Sequence, residues 1–200
     1  QVVMINNQAK EKYSIPLSNI VFMGMGEPLL NYNNLLESIE KITSKEGLGM
    51  SAKRITVSTA GIANKIKRLA DDNVRFNLAL SLHAANDLKR NKIMPINESN
   101  NLEALKEALK YFYQKTKIKP TFEYIIFKNF NDEIQDAVEL YEFCKAIPSK
   151  INIIEYNPID DGVYQQADPE KVDAFADFLE SKNIIVNIRR SRGKDIDACL

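Results

Sequence analysis

The stretch VFMGMGEPLLN, residues 21–31, carries a strand-like apolar run that stops abruptly. Two glycines, a carboxylate and a proline follow within five positions, before a helical pattern begins. Glycine lets the backbone turn through positive φ and brings bare peptide groups close to a ligand. Proline stops the strand, and a carboxylate beside exposed amides suits a cationic group such as an ammonium. The same residues also make an ordinary strand-to-helix turn, so their meaning depends on what the rest of the chain brings beside them.

Outward from this point the sequence keeps one rhythm. Apolar runs predict strands at Asn19–Met23, Arg54–Ser58, Phe76–Leu82, Thr121–Phe127, Ile151–Tyr156 and Ile184–Ile188. They are nearly continuous in Val, Ile, Leu and Phe, the pattern of strands covered on both faces. Helical stripes lie between them: Leu35, Leu36, Ile39 and Ile42; Leu102, Leu105, Leu109 and Phe112; Ile134, Val138 and Tyr141; Val172, Phe175, Ala176 and Leu179. Asp168-Pro169-Glu170 reads as a helix start, and Asn131-Asp132-Glu133 as another. Alternating strands and helices imply a parallel sheet with right-handed crossovers. With no linker or low-complexity tract between them, residues 1–200 read as one domain. Six such units are too few for a closed eight-fold barrel, so the expected fold is α/β, a partial (β/α) barrel with mainly parallel strands. A ligand then belongs at the carboxyl ends of the strands.

Bulk properties narrow the class. The 200 residues are 44% hydrophobic, and 27 basic residues balance 27 acidic ones, so overall charge selects no polyanionic partner. No run of apolar residues approaches the length of a membrane span, which predicts no membrane partner. Two cysteines, Cys144 and Cys199, make no disulfide scaffold and fit a reducing compartment, with the cytoplasm as the expected location. The chain opens at Gln1 inside an apolar pattern without an N-cap, as though continuing from an upstream segment.

The strand ends hold the candidate site. Val57-Ser58-Thr59-Ala60-Gly61 offers hydroxyls that serve a ligand or cap the next helix. Ser81-Leu82-His83-Ala84 contains His83, the chain's one histidine, and Glu155-Tyr156-Asn157-Pro158 places Asn157 where it can donate and accept. Cys144 continues an apolar stripe and is expected in the core. Cys199 instead follows a polar, basic tail, Arg189-Arg190-Ser191-Arg192-Gly193-Lys194, whose charge favours a thiolate.

Taken together, GMGEPLLN, VSTAG, SLHA, EYNP and the RSRGKDIDAC tail resemble the RlmN-type adenine-C2 RNA methyltransferases, which are radical S-adenosylmethionine enzymes. The likeness spans essentially the whole chain. GMGEP resembles the GGEP element of the wider superfamily, and the tail narrows the likeness to RlmN and its C8-methylating relative Cfr. The resemblance implies that Gly26 and Glu27 hold the amino-acid end of S-adenosylmethionine. It implies further contacts to that cofactor from Ser58, Ser81, Leu82, His83 and Asn157, and makes Cys199 the methyl carrier. Adenine C2–H is neither acidic nor nucleophilic; the family's answer is a methylene radical made by a 5′-deoxyadenosyl radical, the hard chemistry being the cofactor's.

The resemblance also implies a [4Fe–4S] cluster on a CxxxCxxC motif that this chain lacks. Cluster ligands, a resolving cysteine and an RNA-recognition region are therefore expected upstream, and the segment alone is expected to be inactive. The implied partners are 23S ribosomal RNA, transfer RNA and a reductant for the cluster, with the protein a monomer. The tail is one Ala shorter than the family's DIDAACGQL and ends in Leu200. Basic runs at Lys65–Arg68 and Lys89–Lys92 read as solvated helix faces; the Arg189–Lys194 run reads as an RNA or active-site contact. Two alternatives compete on residues alone: a barrel aldolase or epimerase with Glu27 as acid or base, and a non-catalytic RNA-binding module.

Overall fold

The computed structural model of the chain describes residues 1–158 and 162–190. After α1 (Val2–Tyr13), strands and helices alternate: β1 (Ile20–Phe22), α2 (Tyr32–Thr43), β2 (Ile55–Thr59), α3 (Ala63–Asp71), β3 (Asn77–Ser81). Two helices, α4 (Asp87–Ile93) and α5 (Leu102–Thr116), precede β4 (Thr121–Ile126). Then come α6 (Ile134–Cys144), β5 (Lys150–Glu155), α7 (Pro169–Ser181) and β6 (Ile185–Arg189). The six strands form one open sheet in sequence order β1-β2-β3-β4-β5-β6. Every neighbouring pair is parallel. Because each crossover steps one place along the sheet with the same hand, the helices gather on one face. The result is the α/β partial barrel expected from the sequence.

Side-chain alternation shows which face is which. Phe122 of β4 meets Phe143 of α6 with ring centroids 5.5 Å apart, and Tyr124 meets Phe175 of α7 at 5.2 Å. Ile55, Val57, Leu78, Leu80, Ile151 and Ile153 share that core and are fully buried. The intervening positions differ from the expectation of two apolar faces: Ser58, Ser81, Glu123, Asn152, Asn187 and Arg189 line the other side. Strands this rich in Ile and Val read as buried throughout, but one or two polar residues among the alternate positions of a strand are enough to make a second, chemically different face.

The stripes on α2, α5 and α7 bury as expected, except that Leu36 of α2 is only partly covered. On α6 the buried side is Ala137, Leu140, Phe143 and Cys144, while Ile134 is half exposed and Val138 and Tyr141 lie on the flank. The helix turns that way because Asp136 is buried too, closing a capping box with Glu133 and pairing with Lys89. Cys144 is in the core, and burial pushes its thiol up, away from thiolate chemistry. No helix among the described residues is long and apolar enough to cross a membrane.

Candidate functional site

Parallel strands put their carboxyl ends on one rim, and there the sequence-predicted residues collect: Gly26 and Glu27 beyond β1, Ser58 on β2, Ser81–His83 at the end of β3, Asn157 beyond β5. Cys199 and the tail from 191 onward lie outside the described residues.

The rim is held by a relay of buried and half-buried polar groups, each joining one strand end to the next. Glu27 ties the β1 loop to β2. Its Oε1 accepts from the Thr59 hydroxyl at 2.9 Å and from the Leu29 amide at 2.9 Å, and its Oε2 accepts from the Ala60 amide at 2.6 Å. A carboxylate has about four acceptor positions, so three protein donors leave one for a ligand cation. Gly24 and Gly26 stand at φ +113° and +80°, with nothing within 4 Å of where a side chain would begin. Their peptide groups border open space, as an ammonium site requires. Thr59 and Ser58 do not cap α3: Thr59 Oγ1 accepts from the Gly61 amide at 3.0 Å, and Ser58 Oγ lies 3.5 Å from Ser81 Oγ.

Arg90 joins β2 to β3. Its basic run predicts a solvated helix face, yet Arg90 is fully buried. Its guanidinium donates to the carbonyls of Ala60 at 2.7 Å, Leu82 at 3.1 Å and Ser81 at 3.2 Å, and to Asn97 Oδ1 at 2.7 Å. Burial lowers its pKa to about 10, with Asp87 opposing. No periodicity flags Arg90, because a charge inside a basic run looks solvated; a single buried fork among exposed lysines is visible only in three dimensions. Lys89, beside it, is paired with Asp136. In the other basic run Arg68 stacks on Tyr32 at 4.2 Å.

His83 and Asn131 join β3 to β4. His83 adopts φ +57°, and its Nδ1 accepts from the Ile125 amide at 3.1 Å. Asn131, fully buried, donates to the carbonyls of His83 at 2.7 Å and Ile125 at 2.8 Å, and its Oδ1 accepts from the Phe127 amide at 2.7 Å. Burial, then the charge of Arg90, lowers His83 to about 4. The ring is therefore neutral at pH 7, with its proton on Nε2. Leu82 turns into the core with no exposed surface. It offers the rim no side chain, and its amide is bonded to the Glu123 carbonyl at 3.0 Å.

The ends of β4 and β5 are clamped by rings. Phe127 lies 4.9 Å from Tyr156 and 4.5 Å from Tyr164, and Phe130 lies 5.4 Å from Tyr164. Asn157 sits half-buried beside Tyr156. Arg190 pairs with Asp173 at 2.7 Å and with Glu155 at 3.5 Å, so at least one basic group of the Arg189–Lys194 run is already engaged within the domain.

A six-stranded open parallel sheet with a glycine-flanked carboxylate beyond its first strand and hydroxyl, imidazole and amide groups on the adjoining rims defines a partial (β/α) barrel with a polar rim at the carboxyl ends of its strands. The profile of the Radical SAM superfamily matches residues 2–141, and the chain belongs to that superfamily. The match takes the place of the aldolase or epimerase alternative. Among relatives, the chain is 61% identical to the probable dual-specificity RNA methyltransferase RlmN of Cytophaga hutchinsonii, over 99% of this chain and 54% of that protein. It is 47% identical to the protein of the same name from Salinibacter ruber, over 99% of the chain and 54% of that protein. A solved radical SAM methyltransferase from Sphaerobacter thermophilus superposes with a TM-score of 0.93 at 34% identity, covering 98% of this chain and 57% of that one. The chain spans about half the length of the curated relatives it matches.

The superfamily implies a [4Fe–4S] cluster, and the residues present do not fit one. The chain has two cysteines, and Cys144 is buried in the core. Among the described residues no group of three or more His, Cys, Asp or Glu could hold a metal. S-adenosylmethionine is a different matter: the bare peptide groups at Gly26, the remaining acceptor position of Glu27 and the paired hydroxyls fit its ammonium and ribose.

Proposed function

We propose that this chain is the cofactor-gripping part of an RNA methyltransferase whose whole protein methylates C2 of adenine in 23S ribosomal RNA and in transfer RNA. The observation that carries the reading is 61% identity with the Cytophaga relative along 99% of the chain. In this reading Gly26 and Glu27 receive the methionine end of S-adenosylmethionine. Ser58, Ser81 and His83 face its nucleoside, Leu82 contributes backbone, and Asn157 closes the far side. Cys199 is the methyl carrier, and S-adenosylmethionine, when bound, would supply the methyl group to its sulfur.

The residues of this chain do three things for that chemistry. They orient the cofactor on a rim locked by Arg90 and Asn131, keep His83 neutral so that no cation faces the sulfonium, and exclude water with the Phe127–Tyr164 cluster. Cluster thiolates and reductant come from outside these residues, and the whole protein works as a cytoplasmic monomer.

The test uses the full-length protein that contains this chain, reconstituted with iron and sulfide without oxygen and given ribosomal and transfer RNA. Nuclease digestion and mass spectrometry against synthetic standards are expected to find 2-methyladenosine, lost in Cys199→Ala. Finding 8-methyladenosine instead, or an unmodified adenosine, overturns the reading.

A further inference from the structure

Four residues form a row across the face of the sheet turned away from the helices. Ser81 of β3 registers with Glu123 of β4, Glu123 with Asn152 of β5, and Asn152 with Asn187 of β6. Their hydrogen bonds run one way: Asn187 Nδ2 donates to Asn152 Oδ1 at 3.2 Å, and Asn152 Nδ2 donates to Glu123 Oε1 at 2.8 Å. The chain of donors ends on the carboxylate. Glu123 is only 4% exposed, yet among the described residues its Oε2 has no hydrogen-bond partner; it forms an ion pair with Arg189 Nη1 at 3.7 Å. Burial raises its pKa, while the Asn152 bond and Arg189 pull the other way.

An acceptor stripped of water and left unpaired costs the full desolvation of that oxygen, so such groups are rare unless a ligand completes them. We propose that Glu123 Oε2 is the acceptor for the exocyclic amino group of a purine held against β3–β6. The inference rests on the nucleotide chemistry proposed above, and the amine belongs either to the target adenine or to the adenine of the cofactor. Asn152 distinguishes the two oxygens: Oε1 already accepts its amide, and Oε2, with no hydrogen bond among the described residues, is the one assigned to the ligand. The E123Q substitution therefore has a defined consequence. Its amide oxygen keeps the Asn152 bond, and its amide nitrogen takes the place of Oε2, turning an acceptor into a donor.

The experiment follows the side-chain amide resonances of Asn152 and Asn187 in the isotope-labelled chain during titration with adenosine, N6,N6-dimethyladenosine and inosine. Adenosine is expected to shift both amides, and the dimethyl analogue, which has no N–H to give, to bind on the order of tenfold more weakly. In E123Q the order is expected to invert, inosine with its 6-oxo acceptor now binding better than adenosine. No response to adenosine, an equal response to the dimethyl analogue, or a folded E123Q without inversion overturns the proposal. S-adenosylmethionine moving the same resonances with the same sensitivity assigns the amine to the cofactor; adenosine moving them while S-adenosylmethionine does not assigns it to the target base. Inversion without RNA methylation by the full-length protein would remove the function and leave this site standing, and methylation without inversion would do the reverse.

Discussion

Arg90 Nη2 donates to the Ala60 carbonyl at 2.7 Å from a side chain with no exposed surface, so the exit of β2 and the end of β3 hang on one guanidinium. Replacing Arg90 by Met leaves three backbone carbonyls and Asn97 without this donor in the interior. The expected loss is ~3–5 kcal/mol. Lys is not expected to rescue it, since three donors on a point charge cannot span a fork. Urea midpoints for R90M and R90K decide this; a loss under ~1 kcal/mol would mean the rim stands without the arginine.

His83 sets an acid limit. Its pKa is lowered to about 4 in the folded chain, below the ordinary 6.5. The unfolded state therefore binds the proton first, and stability is lost as pH falls from 6.5 towards 4. At ~1.4 kcal/mol per pH unit, the loss reaches about 2 kcal/mol by pH 5. Urea unfolding at pH 7 and pH 5 should show that extra loss in the native protein, and His83→Gln should remove it. Equal pH dependence in the two proteins would show that protonation of His83 is not what breaks the Ile125 bond.

Two glycines of the rim separate strain from crowding. Gly26 has φ +80° and open space, so Gly26→Ala costs only the backbone strain, ~1–2 kcal/mol. Gly61 has φ +105°, and a methyl there would begin 2.9 Å from Leu105 Cδ2 and 3.0 Å from Leu80 Cδ1. Overpacking adds ~1–3 kcal/mol to Gly61→Ala. Chemical denaturation should therefore rank Gly61→Ala as the less stable variant, and the opposite order would contradict the packing.

Asp132 is buried, and among the described residues neither of its oxygens accepts a hydrogen bond; Lys171 Nζ, which also pairs with Glu133, lies 3.4 Å away. Lys171→Met removes the charge that compensates it, and because the lysine is partly solvated the expected cost is ~1–3 kcal/mol. Adding Asp132→Asn should restore much of that loss. A double-mutant cycle with additive effects would show that the two groups are not coupled.

The architecture was legible because it depends on short-range pattern. Six apolar runs and the stripes between them place every strand of the sheet within a residue or two, since burying a strand or one side of a helix needs only the right period. The glycines and the acid after β1 announced the rim in the same way. Asp168 shows the limit even there: it begins α7 as its sequence predicts, but its carboxylate reaches Lys128 at 2.8 Å rather than the helix amides.

What linear order could not supply were relations between distant positions. Arg90 became a staple because α4 folds back over the carbonyls of Ala60, just past β2, and Ser81, at the end of β3, thirty and nine residues earlier. Glu123 became the end of a hydrogen-bonded row because β5 and β6 place their asparagines in register beside it, which engages Oε1 and leaves Oε2 without a hydrogen bond among the described residues. Periodicity says which side of a strand a residue faces; it does not say what the neighbouring strand sets opposite. Hydrogen bonds act over about 3 Å, and which groups come that close is settled by packing the whole sheet.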